Sequence, residues 1–527
     1  MVSKGLHTSK GRVLLIAILL GVLCTAHGCM KKRRAAPWPE KTWATASPES
    51  QGLDSSVLAS AVRTIRSENI NIHSILLIRN GFAVLDVFFY PYDGRRLHDA
   101  ASVTKSITAT LVGQAVSEGI LPGLDVPVRD LLSTTGAGKA PGAWSAVTLE
   151  NLLTMSSGLE CGKPPVEEKI LVLRNSPNWV DASLSLPVVQ TPGERFDYCS
   201  PNFHLLSAAV ARAAGTSLAD FARGHLFEPL GIDEYSWPAD PQGVTIGWGD
   251  LRLHPYAMAK IGYLYMNDGL WKGQRILPAG WVKSATTPRL STPGGDGDYG
   301  YGWWLARGRF KGVYEARGRG GQSITVWPEA RILLVTTGGG YPRDPVIELL
   351  LPAVKSNSPL PENPGALEDL TWAVSAAAMA PEPASAGTLP PMARQVSGQR
   401  YDMEENLLGL EVLTAEFASG SAQARLTARI SGREYRYTVG LDGVYRFSET
   451  SPSGDPAALR GQWETGERFI LDYNEVTRIN RFRMEFTFSG DDVALVFSEP
   501  TGQIAGKVMG HWSNSNMSGN SKNRQSH

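Results

Sequence analysis

Apolar residues at helical spacing follow Ser106, with Ile107, Leu111, Val112, Ala115 and Val116 sharing a face. This pattern predicts a helix sunk into a core. Upstream, Leu58, Val62 and Ile65 predict an amphipathic helix over Asp54–Ser67. Two apolar runs, 74–79 and 82–88, are separated by Asn80-Gly81, a strong signal for a tight hairpin. Val126 to about Pro238 reads as helices and loops, with helices over Thr148–Leu153, Asn202–Arg223 and, further on, Tyr256–Tyr265. Strand patterns return at 301–306, 322–327 and 331–337, after a Gly-rich loop at 293–297. Strands at both ends with helices between them predict an α+β domain: an antiparallel sheet flanked by helices and carrying a helical subdomain.

The pattern changes after a Pro/Ala/Ser/Gly-rich stretch. Short alternating strands are expected at 410–417, 424–430, 435–439, 469–473, 482–488 and 493–497. That spacing predicts an all-β barrel or sandwich. The expected organisation is a linker over 30–47, the α+β domain over 48–355, a helix and Pro/Ala-rich linker over 356–392, a β domain over 393–512, and a disordered polar tail over 513–527.

At 527 residues the chain is too long for one ordinary core. Its formal net charge is zero, which argues against nucleic acid or a polyanion as partner. The first 29 residues read as a targeting segment. Lys4, Lys10 and Arg12 precede the apolar run Val13–Leu23, and Ala26-His27-Gly28 precedes Cys29. Three outcomes are open there: an ordinary export signal, a lipoprotein signal acylated at Cys29, or a signal anchor suggested by the basic run after Met30. Each places the body outside the cytoplasm, periplasmic or attached to the cell envelope, and the last two add membrane anchoring. Four cysteines without a Cys/His cluster give no structural zinc site. Cys161 and Cys199 are left in the mature body, either paired or as free buried thiols.

Ser102 and Lys105 open the Ser106 helix in the spacing S-x-x-K. Residues three apart on a helix share a face. A serine hydroxyl needs a neighbouring base to become a nucleophile, and lysine serves once burial lowers its pKa. Ser102, near the first turn, also has a backbone N–H free for an oxyanion. A tyrosine often completes such a pair as proton relay, and Tyr198 stands between a turn and a helix in PGERFDYCSPN. His98 and His254 lack a neighbouring motif and are read as structural, as are Trp303 and Trp304.

The stretches ASVTKSITATLVG, LLTMSSGL, PGERFDYCSPNFHLL, GWGDLRLHP and YGYGWW resemble, in order and spacing, the serine β-lactamase-like hydrolases. That superfamily holds class C β-lactamases, D-Ala-D-Ala carboxypeptidases and esterases, and the chain is most similar to the 6-aminohexanoate-dimer hydrolase-like group. The resemblance implies a β-lactamase/transpeptidase-like fold. It also implies a small-molecule or peptide-like ester or amide substrate, no cofactor, Ser102 as nucleophile, Lys105 as its base and Tyr198 as the second-motif tyrosine. Ser200 stands where the family commonly has asparagine, which favours esterase- or amidase-like members. The third motif has no clean copy. If Arg319-Gly320-Gly321 fills it, the Gln322 N–H faces the oxyanion; if Ala316-Arg317-Gly318 does, the Arg319 N–H takes that place. The β domain resembles the lipocalin-like barrel attached to some members. The alternatives are a true β-lactamase or D-Ala-D-Ala carboxypeptidase, and a non-catalytic envelope binding protein.

Overall fold

The computed structural model describes residues 37–132, 142–162, 167–295, 297–385 and 387–513. The segment read above as a targeting signal, with Cys24 and Cys29, and the tail beyond Ser513 lie outside them. From Trp38 onward the described residues form one compact unit.

Eight antiparallel strands build the first sheet. Its order runs Phe82–Phe88, Ile72–Arg79, Ile332–Gly338, Gln322–Trp327, Tyr314–Gly318, Trp304–Leu305, Asp298–Tyr299 and Leu290–Ser291. The N-terminal hairpin therefore docks on the returning C-terminal strands, with Leu76 opposite Val335 and Leu77 opposite Leu334. The strand Ile72–Arg79 is buried along its whole length because both faces are covered. Ile75 and Leu77 join Leu58, Val62 and Ile65 of helix Ser55–Ser67 on one face. Leu76 and Ile78 join the helical subdomain on the other. Helix Pro364–Ala378, expected within the linker, packs its Leu370, Ala373 and Ala377 into the first of these layers.

Helix Val103–Ser117 lies at the centre. Its expected apolar stripe understates its burial, since every residue from Val103 to Ala115 is buried. The threonines that break the apolar pattern spend their hydroxyls on carbonyls: Thr104 on Ala101, Thr108 on Gly247 and Thr110 on Ser106. A buried hydroxyl with such a partner costs little.

The C-terminal domain is a barrel rather than a sandwich. Nine strands, from Arg400–Met403 to Ala505–Trp512, pair in a ring, closed where Gly440 meets Arg460. The short strand Arg446–Ser448 pairs with Ala457–Trp463 at its side. In Arg481–Ser489, Phe482, Phe486 and Phe488 turn into the core while Arg483 and Thr487 face outward. This period-2 alternation is what made the strand legible.

Candidate active site

Ser102 occupies the N-cap of the central helix, and the turn before it is built to hold it there. The buried Asp99 carboxylate accepts the Ala101 N–H at 2.7 Å. Ala101 adopts a left-handed φ of 47°, a conformation that a non-glycine residue keeps only when its surroundings impose it. Lys105, one turn on and 1 % exposed, donates from Nζ to Ser102 Oγ at 2.8 Å and to the Trp248 carbonyl at 3.0 Å. Burial pushes its pKa down to about 8, with Glu167 and Asp250 pulling the other way. The amine is therefore substantially neutral just above physiological pH.

Tyr198 reaches the same point from the segment before helix Pro201–Ala214. Its ring sits 4.9 Å from Lys105 Nζ and stacks on Trp304. Burial, reinforced by Glu167, raises its pKa, and the Ser102 hydroxyl only partly offsets this, so the phenol stays protonated at neutral pH. The MSSG turn holds the segment in place. Met155 accepts the Asp197 N–H through its carbonyl at 2.7 Å and the Cys199 N–H through Sδ at 3.3 Å, and Ser157 donates to Asn202. A disulfide joins Cys199 to Cys161, resolving the choice left open for these two residues.

Ser102, Glu167, Tyr198, Trp304, Arg317, Gly318, Arg319 and Gln503 line a cavity of about 230 Å³. Glu167 had no signal in the sequence, where it reads as one member of a charged run after two prolines. Here its carboxylate accepts the Ser200 N–H at 2.9 Å and the Ser200 hydroxyl at 2.6 Å, and burial raises its pKa. Ser200 is buried, is spent on Glu167, and is not among the lining residues.

In the third-motif region, Ala316-Arg317-Gly318 ends a sheet strand beside the nucleophile. A Cβ on Gly318 would come within 2.8 Å of the Ala100 carbonyl and 3.0 Å of Ala101 Cβ, so only glycine allows this approach. Gly320 turns away with φ of 80°. The Gln322 side chain is buried outside the lining, donating to the Arg319 and Gly338 carbonyls and accepting the Gly338 N–H. His98 pairs with His73 at 2.8 Å. His254 accepts the Tyr256 N–H at the start of helix Pro255–Met266. Among the described residues, no cluster of three or more His, Cys, Asp or Glu side chains is placed to hold a metal ion.

A serine and a buried lysine in hydrogen-bond contact at a helix start, beside the end of an inner sheet strand, invite comparison with known proteins. The sequence profile of the Beta-lactamase family matches residues 69–346, more than half of the chain. The chain belongs to the beta-lactamase family. It is 22% identical over 284 residues to the 6-aminohexanoate-dimer hydrolase of Paenarthrobacter ureafaciens, covering 49% of this chain and 70% of that one. It is 29% identical over 214 residues to the esterase EstB of Burkholderia gladioli, covering 38% of this chain and 53% of that one. Among solved structures, the octameric penicillin-binding protein homologue of Pyrococcus abyssi aligns over 86% of this chain and 99% of its own, at 18% identity and a TM-score of 0.46. As a member of the beta-lactamase family, the chain is a hydrolase.

Proposed function

We propose that this beta-lactamase-family protein is an exported serine hydrolase that cleaves a small ester or amide through an acyl-enzyme on Ser102. The observation that carries the reading is the 2.8 Å contact from a fully buried Lys105 to the Ser102 hydroxyl. The neutral amine takes the Ser102 Oγ proton as Oγ bonds to the substrate carbonyl carbon. The backbone N–H groups of Ser102 and Arg319 face the oxygen that gains charge. As the bond to the leaving group breaks, the Tyr198 phenol supplies that group's proton and is reprotonated from the Lys105 ammonium. Water repeats the sequence on the acyl-serine and releases the acid. A cavity of about 230 Å³ is smaller than those that enclose drug-sized ligands, so compact substrates fit the reading best.

The disulfide supports an extracytoplasmic location, because such bonds persist in oxidising compartments. The N-terminal segment supplies the matching export signal, with acylation at Cys29 as the proposed envelope anchor. The test is intact-mass analysis after a fluorophosphonate probe. One adduct mapping to Ser102, absent in Ser102→Ala, is expected; full labelling or undiminished ester hydrolysis by Ser102→Ala would overturn the assignment.

A further inference from the structure

The outer face of the barrel carries a row of charge that the reaction at Ser102 does not use. Arg460, Asp472, Arg483 and Ser498 stand opposite one another on the strands Ala457–Trp463, Arg468–Glu475, Arg481–Ser489 and Asp492–Ser498. Their strand neighbours Leu459, Leu471, Phe482 and Phe497 fill the barrel core, so the period of two turns the charged row outward. Arg481, two residues before Arg483, shares that face. Against it lies the end of helix Ser55–Ser67, with Arg66 in its last turn and Asn69 just beyond. A crevice of about 630 Å³ runs between them and meets a second cavity of about 170 Å³. Asn69, Arg460 and Arg481 line both.

The carboxylates in this crevice are spent. Asp472 accepts from Arg481 Nε at 2.8 Å and Nη2 at 2.6 Å, and from Arg460 Nε at 3.2 Å and Nη2 at 3.1 Å. It also accepts the Tyr445 hydroxyl at 2.9 Å. Glu499 is filled within its own turn, 499–504, by the N–H groups of Thr501 and Gln503 at 2.7 Å each and of Ile504 at 3.1 Å, and it lies 3.7 Å from Arg319. The cations are in surplus. One carboxylate, Asp472, serves two guanidiniums. Arg483 makes a single hydrogen bond, from Nε to Glu485 at 2.8 Å, with Glu464 3.9 Å from its Nη2. Among the described residues, the side chains of Arg66, Asn69, Gln462 and Ser498 make no hydrogen bond. The smaller cavity is lined by Arg66, Arg460 and Arg481 and by no Asp or Glu.

We propose that this crevice is a second ligand site, separate from the Ser102 cavity, and that it takes a phosphate ester with a hydroxylated body. The phosphate sits where Arg460 and Arg481 line both cavities, between Arg66 on one side and Arg483 on the other. Guanidinium forks match phosphate oxygens, and a tetrahedral anion offers oxygens to cations on several sides where a planar carboxylate offers two. The Asn69 and Gln462 amides and the Ser498 hydroxyl supply both donors and acceptors for hydroxyl groups on the rest of the ligand. A zero net charge over the whole chain does not oppose this, because charges beyond about 10 Å are screened and the local surplus decides. The site stands whether or not Ser102 is the nucleophile.

A soluble phosphate ester and a phospholipid headgroup share this chemistry, and the test separates them. Calorimetric titration of sn-glycerol 3-phosphate into the full-length mature protein, with glycerol as control, reads the first. Sedimentation with vesicles of phosphatidylglycerol in phosphatidylcholine reads the second. Saturable binding of glycerol phosphate and none of glycerol is expected. Arg483→Gln and Arg66→Gln should each weaken it about tenfold, the worth of one charged hydrogen bond. Both side chains are exposed and leave the Asp472 cluster intact, so both variants should melt like the parent and keep fluorophosphonate labelling of Ser102. For a soluble ligand, the vesicles sediment parent and variants alike. For a headgroup, they sediment the parent more than either variant. No glycerol phosphate binding together with equal sedimentation, or binding that both variants retain in full, would overturn the inference.

Discussion

Lys105→Met puts the claimed electrostatics of the site to a direct test, because it opposes two effects of known sign. The side chain is 1 % exposed, and its pKa falls from 10.5 in the unfolded chain to about 8 in the fold. The folded state therefore binds fewer protons than the unfolded state between pH 8 and 10.5, and stability rises with pH across that window. Below pH 8 the cost of holding the ammonium in the core is fully present, at about 3 kcal/mol. Methionine removes that cost at similar volume, but it strips the buried Trp248 carbonyl of its 3.0 Å donor, a loss of about 1 kcal/mol. At pH 7 the variant should be the more stable by about 2 kcal/mol. Near pH 10.5 the charge cost has gone, the lost hydrogen bond remains, and the order should invert. Thermal unfolding of both proteins at pH 7, 9 and 10.5, alongside ester turnover, reads this out. Turnover should be lost at every pH. Melting curves separated by the same interval at all three pH values would refute the reasoning, since the amine would then not be depressed.

Two further outcomes are expected. Glu167→Gln removes an anion that favours the Lys105 ammonium, so the acid limb of kcat/KM, set near pH 8 in the parent, should move to lower pH. Well below the limb, each pH unit of displacement raises the free-amine fraction tenfold, and a limb that stays or moves upward would count against the coupling. Replacing Cys161 and Cys199 together by serine opens a link between residues 38 apart in sequence. On loop entropy this lowers stability by about 4 kcal/mol, and a melting temperature unchanged from the oxidised parent would refute a stabilising bond.

The parts of the site that were legible from the sequence are those whose chemistry is local. Ser102 and Lys105 share a helical turn, so their spacing and the apolar positions after them show both the pair and its burial. The strands 410–417 and 322–327 alternate or carry β-branched runs strongly enough to be read to the residue. The short strands 304–305 and 446–448 take their order from neighbours rather than from a pattern of their own. Glu167 was invisible because its meaning lies in Ser200, 33 positions away, and in a cavity assembled by tertiary packing. The same holds for Gln503. Nothing about a glutamine in a barrel turn marks it as an active-site neighbour until the 499–504 turn is seen against Arg319. Helix 364–378 shows only faintly in the sequence, because a pattern rich in alanine says little about a partner. Its partner is helix 55–67, where Arg63 reaches Asp369 at 2.6 Å.

In the proposed reaction, burial acts on Lys105 and Tyr198 in the same sense and would thereby give them opposite roles. A desolvated site disfavours whichever form carries charge. For Lys105 that means the free amine, a base; for Tyr198 it means the intact phenol, an acid. The division of labour therefore needs no separate tuning device for each residue. Glu167 acts against this only at Lys105, where it favours the ammonium. At Tyr198 it adds to the rise. The carboxylate thus holds the lysine pKa from falling further while keeping the phenol protonated. An amine that falls too far would be too weak a base for a serine hydroxyl, and one left at its ordinary value would be charged at neutral pH. The balance depends on how much water reaches the cavity, and on that side the wall includes Gln503 from the barrel. The proposed chemistry is carried by two motifs of the family domain, while the cavity that holds it is walled in part by a domain outside the family match.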